Sequence, residues 1–190
     1  MKKYIINFFV SILFLTPFCL AVSVGNAQKN QQPIQTDGKV VFGNYQFIPP
    51  SGYWYFKKKF SEIDITSDNP FLVTFWKDKN SIPTYASSIN SLDVTFNFSI
   101  SPKKYKSINS YYEEANKHGI SYEQLPEKLK GLKHIEGWKC SYLLSGFHGV
   151  ECVSLKDNLI TMLAFGESKD DVFKKAYILK EMISSFIVLR

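Results

Sequence analysis

Residues Gly137 to Phe165, GWKCSYLLSGFHGVECVSLKDNLITMLAF, hold three apolar runs divided by two turns, together with both cysteines that follow residue 27. Opposed residues in an antiparallel hairpin keep a constant index sum. Folding the stretch about Ser145-Gly146-Phe147 therefore sets Cys140 opposite Cys152, since both are equally far from Gly146. Directly opposed Cβ atoms lie ~4.5 to 5.5 Å apart, close to the reach of a disulfide. The stretch reads as a stapled β-meander. Its third strand, Leu159 to Phe165 after the Lys156-Asp157-Asn158 turn, is apolar on both sides, which predicts a central strand covered on both faces.

Beyond the meander, a helix is predicted from about Asp170 to Val188. Ser168 and Asp171 have capping-box spacing, two acids suit the positive helix start, and Val172, Ala176, Leu179, Ile183 and Phe186 form one stripe. Before the meander, Ile120 to Lys133 contains Pro126 but also Leu125, Leu129 and Leu132, and is expected as a loop with one helical turn. Ser107 to His118 is predicted helical, with Ser110 and Glu113 in capping-box spacing and Gly119 as its stop. Leu92, Val94, Phe96, Phe98 and Ile100 alternate with Asp93, Thr95, Asn97 and Ser99, the period of a long strand with one wet face.

Further back, Ile63 and Ile65 alternate with polar residues and are expected to pair with Phe71 to Trp76 across the Ser67-Asp68-Asn69-Pro70 turn. Lys77 to Asn90, polar and holding Pro83, is expected as a surface connection. Val40-Val41-Phe42 and Tyr45-Gln46-Phe47 flank Gly43-Asn44, residue types that suit a two-residue hairpin turn, and Pro49-Pro50 stops the second strand. The summed pattern is α+β: a mostly antiparallel β-sheet of six to eight strands carrying a mid-chain helix and a C-terminal helix.

The first 27 residues have the form of a secretory signal: Lys2 and Lys3, an apolar run from Ile5 to Val24 interrupted by Pro17, then Gly25 and Ala27. Cleavage is expected after Ala27, and the competing reading is an uncleaved anchor helix. Cys19 follows Phe18 rather than the small residue that lipoprotein processing needs, so it belongs to the discarded segment. Residues 28–38, polar and holding Pro33, are expected as a flexible leader, and residues 39–190 as one domain. Removing 27 of 190 residues leaves 163, an ordinary single-domain size. Without the two signal lysines, 21 basic residues face 17 acidic ones, a net +4 that is a mild excess and specifies no partner. Two cysteines in an exported chain imply one bridge, where a reducing compartment would have pointed first to redox or metal chemistry.

The search for chemistry is short. His118, His134 and His148 lack the close spacing of a local metal site, although His134, His148 and Glu136 or Glu151 could gather one in space. His148 and Cys152 share a strand face four residues apart, ~13 Å along the strand, too far for a thiol-base pair. Ser145-Gly146 lacks the Gly of a nucleophile elbow, having Leu143 in its place. Tyr53-Trp54-Tyr55-Phe56 runs directly into Lys57-Lys58-Lys59. Aromatics beside cations suit a stacking platform or an anionic surface, whereas the plainer reading buries alternate aromatics and leaves the lysines solvated. Export speaks against nucleic acid, and no cofactor is implied. Tyr53, Trp54, Tyr55, Lys57, Lys58 and Lys59, with Phe147 and His148 at the hairpin tip, are the candidate partner-binding residues.

With these elements in order, the chain resembles the PsbP/DcrB-like superfamily of small α-β-α domains. The resemblance rests on Tyr45-Gln46-Phe47-Ile48-Pro49-Pro50-Ser51-Gly52-Tyr53-Trp54, and on the late meander followed by a helix ending Ser184-Ser185-Phe186. It would cover Val40 to Leu189; the stapled hairpin is not a general mark of the group. It implies noncatalytic roles, as extrinsic subunits of membrane complexes, envelope proteins or adaptors for secreted cargo, with no catalytic constellation to carry over. The expectation is an exported, noncatalytic protein-binding or accessory domain of a bacterial envelope, periplasmic or secreted, bound to another envelope or secreted protein. The alternatives are a periplasmic immunity-type inhibitor of a toxin and a metal-dependent hydrolase.

Overall fold

A computed structural model describes residues 32–57, 70–80 and 94–189. The signal segment, the Ile63–Ile65 strand and residues 81–90 of the surface connection lie outside the described residues, as do Lys58 and Lys59. In chain order the strands are β1 (Ile34–Gln35), β2 (Val40–Phe42), β3 (Tyr45–Phe47), β4 (Trp54–Tyr55), β5 (Phe71–Phe75) and β6 (Thr95–Pro102). Helix α1 (Ile108–Lys117), strand β7 (Ser121–Glu123), a 3-10 turn at Glu127–Leu129 and helix α2 (Lys130–Lys133) follow. The meander is β8 (Lys139–Leu144), β9 (His148–Leu155) and β10 (Asn158–Gly166). Helices α3 (Lys169–Lys175) and α4 (Tyr177–Ser184) and strand β11 (Ile187–Val188) end the described chain.

The main sheet is antiparallel, in the order β5-β6-β10-β9-β8-β7. Its first two hairpin connections are those of the meander, and the register sets Cys140 opposite Cys152. As predicted, β10 is central and buried along its length after Asn158. On one face Phe71, Val73 and Phe75 of β5, Phe96, Phe98 and Ile100 of β6, and Ile160 and Met162 of β10 form an apolar layer. Helices α3 and α4 and the β2-β3 hairpin cover it: Phe47 lies 4.7 Å from Phe98 and Phe42 lies 5.2 Å from Phe71, centroid to centroid. Burying such aromatic and branched side chains is the main stabilising term of the domain, roughly 1.5 to 3 kcal/mol for each.

The β2-β3 hairpin forms as expected, with Phe42 opposite Tyr45. Gly43 alone takes a positive φ, 57°, and Asn44 does not, the pattern of a type II′ turn with glycine first. A third strand completes this small sheet, since β11 pairs with β3. This corrects the predicted C-terminal helix. It ends at Ser184 rather than Val188, because Ile187-Val188 is β-branched and finds the free edge of β3. The helix also breaks at Ala176, where the Leu179 N–H bonds to a carbonyl only three residues back.

Four other expectations change. The leader is not wholly without structure: β1 pairs with β4, and the buried Thr36 donates N–H to the Tyr53 carbonyl at 2.7 Å. Strand β6 has no wet face, for Thr95, Asn97, Ser99 and Ser101 are all buried. Within Ile120 to Lys133, Ser121–Glu123 is an edge strand on β8. The cap of α1 is Ser107, whose hydroxyl accepts from the Ser110 N–H while Ser110 answers the Ser107 N–H, so the box lies three residues before the one read from Ser110 and Glu113.

Candidate functional site

The staple is present as read: Cys140 and Cys152 are bonded, with Cα atoms 4.0 Å apart. It lies five residues below a three-residue turn in which Gly146 takes φ 73°, a conformation that a side chain with a Cβ resists. The tip beyond it is braced from both faces of the sheet. Phe147, half-buried, packs on Phe165 at 5.5 Å. On the other face the Tyr142 hydroxyl and His148 Nδ1 share a hydrogen bond, their rings lie parallel within 8°, and Lys169 Nζ stands 5.0 Å over the Tyr142 ring. His148 is thus engaged by Tyr142, and Cys152 by Cys140.

The aromatic-lysine segment divides. Tyr53 is buried at 5% exposure, which corrects its place among partner-contacting residues. Lys77 Nζ lies 5.3 Å from its ring centroid. Phe56 is buried too and packs on Trp76 at 5.2 Å. Trp54 and Tyr55 are half-buried in β4 and Lys57 is exposed. Trp54 exchanges two backbone hydrogen bonds with Trp76, and Lys79 Nζ lies 4.9 Å over its ring.

The sheet register brings the two segments to one end of the molecule. Phe75 pairs with Phe96, Thr95 with Phe165, and Gly166 with His148, so Trp76, the β6 start, the β10 end and the hairpin tip form one rim. Three strand spacings, about 14 Å, separate the β5 end from the β9 start. The rim carries Trp54, bridged to Trp76, with Phe147, His148 and the exposed cations Lys77 and Lys79, while Tyr55 packs on Phe75 as the chain runs back along β5 toward the exposed Lys57.

A second constellation lies inside, on the face opposite the apolar layer. Helix α1 covers this face with Tyr111 and Tyr112, which join Val153 and Leu159 in a satellite core. Beneath Tyr111, Glu151 of β9 is 4% exposed, and its Oε1 accepts from the Tyr111 hydroxyl at 3.1 Å. Ser99 and Thr161 hydroxyls bond each other at 2.7 Å. Asn97, Ser99, Thr161, Glu151 and Tyr111 line a cavity about the size of one water molecule. Burial pushes the Glu151 carboxyl up to about 7, against the opposing pull of the Tyr122 and Tyr111 hydroxyls. Burial, with the nearby Glu151 charge, also raises all three tyrosines, Tyr111, Tyr112 and Tyr122, so they stay neutral. The Tyr122 hydroxyl approaches this group without reaching hydrogen-bonding geometry. Glu151 entered the sequence reading only as a remote metal ligand. Its signal was a lone charge between Val150 and Cys152 in an otherwise apolar strand, a position that is seldom charged without a reason.

The histidines stay apart. His118 caps α1 with Nε2 3.6 Å from Glu114, His134 is exposed at the end of α2, and His148 lies at the tip. Among the described residues no three His, Cys, Asp or Glu side chains gather to hold a metal. Nor is any helix there long and apolar enough to cross a membrane.

No protein-family model and no curated protein matches the chain. Among solved structures it is similar to the solution structure of cyanobacterial PsbP (CyanoP) from Synechocystis sp. PCC 6803, with a TM-score of 0.43 and 14% identity over 82% of this chain and 94% of that one.

Proposed function

We propose that this chain is an exported, noncatalytic domain that grips another envelope or secreted protein with the aromatic, basic rim of its main sheet. In this reading residues 1–27 are a removed signal, residues 39–190 are the domain, and its compartment is the periplasm or the exterior. The observation that carries the proposal is the register that, through the Trp54–Trp76 bridge, sets Trp54 at the same sheet end as Phe147 and His148. Half-buried aromatics held by packing lose little entropy on binding and are the residue types that dominate contact energies. The lysines beside them favour an acidic partner surface. The disulfide supports export.

The test is capture from envelope extract with the disulfide-intact chain and two double variants, Trp54→Ala with Lys57→Ala, and Phe147→Ala with His148→Ala. A resident envelope protein retained by the native chain and reduced about tenfold or more by either pair is expected. Recovery of a secreted toxin instead favours the inhibitor reading, and unchanged capture by both pairs removes the rim from consideration. Mass analysis of the exported chain should show Gln28 as the first residue.

A further inference from the structure

The end of the main sheet opposite the rim has a surface of its own. The close of β6, the β9-β10 turn and the start of β8 meet there, since Asn158 pairs with Pro102 and Lys139 with Val153. Lys103, Lys104 and Lys106 follow β6, Lys139 opens β8 and Lys156 sits in the β9-β10 turn, all five exposed. Lys156 lies against the backbone that leads into Trp138, its Cε 3.7 Å from where a Cβ on Gly137 would stand. Lys104 Nζ is 5.4 Å over the half-buried Tyr105 ring, and Lys139 Nζ is 5.0 Å over Tyr112 and bonds Asn109 Oδ1 at 2.7 Å. Among the described residues none of these five lysines is in an ion pair, whereas Lys117, Lys128, Lys130, Lys133 and Lys174 all are. The exposed acids at this end are Glu136 and Asp157, so five positive charges face two negative ones.

The small sheet brings apolar side chains to the same end. The Asn158 side-chain amide donates to the Tyr45 hydroxyl at 2.7 Å, Tyr45 pairs with Val188, and the Leu189 N–H bonds to the Asn44 carbonyl at 2.6 Å. Val188 and Leu189 are nevertheless 54% and 37% exposed, held in place by the backbone while their side chains stay in water.

We propose that this end is a membrane-docking surface: Val188 and Leu189 enter the headgroup region of an anionic phospholipid bilayer while the five lysines meet its phosphates. Lysine suits that occupant, because its long apolar stem lets the amine reach a diffuse layer of phosphates that imposes no fixed geometry. A protein partner is the poorer match. Protein interfaces are depleted in lysine and rely on packed aromatic anchors, and this molecule presents those at its other end, in Trp54 and Phe147. Docked this way, the domain holds its rim away from the bilayer. The two surfaces share no residue, so either reading can fail without the other.

The experiment is flotation of the disulfide-intact mature protein, free of the apolar segment in residues 1–27, with vesicles of phosphatidylglycerol or of phosphatidylcholine. Retention on phosphatidylglycerol alone, weakening steeply with added salt, is expected. Lys103→Gln with Lys104→Gln and Lys156→Gln should weaken it about a hundredfold, roughly fivefold for each charge. Lys117→Gln with Lys128→Gln and Lys174→Gln removes the same charge from elsewhere and should change it less than about threefold, since charges beyond a Debye length from the bilayer are screened. Val188→Ser with Leu189→Ser should cost about tenfold. Soluble glycerol phosphate in excess should not release the protein; release would reveal a discrete anion pocket and overturn the bilayer reading. No retention on phosphatidylglycerol, or equal losses in the two lysine triples, would overturn it as well. So would capture of an acidic envelope protein, lost in the first triple, by a chain that floats with neither vesicle.

Discussion

Two adjacent rows of residues cross the main sheet one position apart in every strand, and they have opposite characters. On one face run Val73, Phe98, Met162, Cys152 and Cys140; on the other run Thr74, Asn97, Leu163, Glu151 and Ser141. Both rows are largely buried. The first is built as a core, closed by aromatics and locked at its far end by the disulfide. The second buries an amide and a carboxylate for which hydrophobic packing offers no return. Since a one-residue slip exchanges the rows, the polar one also fixes register: a slipped strand would drive Glu151 into the phenylalanine layer.

The comparison can be broken most severely from the apolar side. Phe98→Ala removes a ring that touches Phe42, Phe47 and Phe71, and should cost about 4 kcal/mol in urea denaturation. Opening the Cys140–Cys152 bridge, by reductant or by replacing both with alanine, should cost about 3 kcal/mol. Mature protein without residues 1–27, alkylated without reductant, should take up no label.

On the polar side the expected sign reverses. Glu151 titrates at about 7 when folded, above its unfolded value. The folded state therefore holds the proton more tightly, and stability is highest in acid, falls as pH rises from about 4.5, and levels off above about 7. Glu151→Gln should flatten that slope and gain on the order of 2 to 3 kcal/mol at pH about 8. A variant that instead lost stability there would show that the carboxylate is part of the structural core. The smallest change expected is Thr161→Val, which keeps the shape but strands the Ser99 hydroxyl, at about 1 kcal/mol.

The apolar row was legible because its information is local and repeated. The constant index sum of the meander sets Cys140 against Cys152, and the unbroken apolar run of β10 announces a strand covered twice. The polar row was misread for the same reason that it is unusual. Asn97 and Ser99 alternate with phenylalanine as an exposed face does, and only the docking of Tyr111, remote in the chain and carried on α1, turns that face inward. The β11 strand was hidden in a similar way. Ile187 continues a helical stripe until the β3 edge, from a hairpin near the other end of the described chain, offers it a better partner. Of the rim, residue types were visible but their meeting was not, since it depends on the register of β5, β6, β10 and β9 together.

That last small sheet has a bearing on how the molecule is made. Its outer strands come from opposite ends of the described chain, and the Ile48 N–H donates to the Ser185 hydroxyl across 137 residues. A polypeptide emerging in order can form the meander early, since its pairings are local, but cannot cover the β3 edge until Ile187 and Val188 are free. Until then Phe42 and Phe47 have a cover that is held on one side only. The closure of the domain is therefore a late event with a long loop to close, since β3 gains its second neighbour only once Ile187 and Val188 are available.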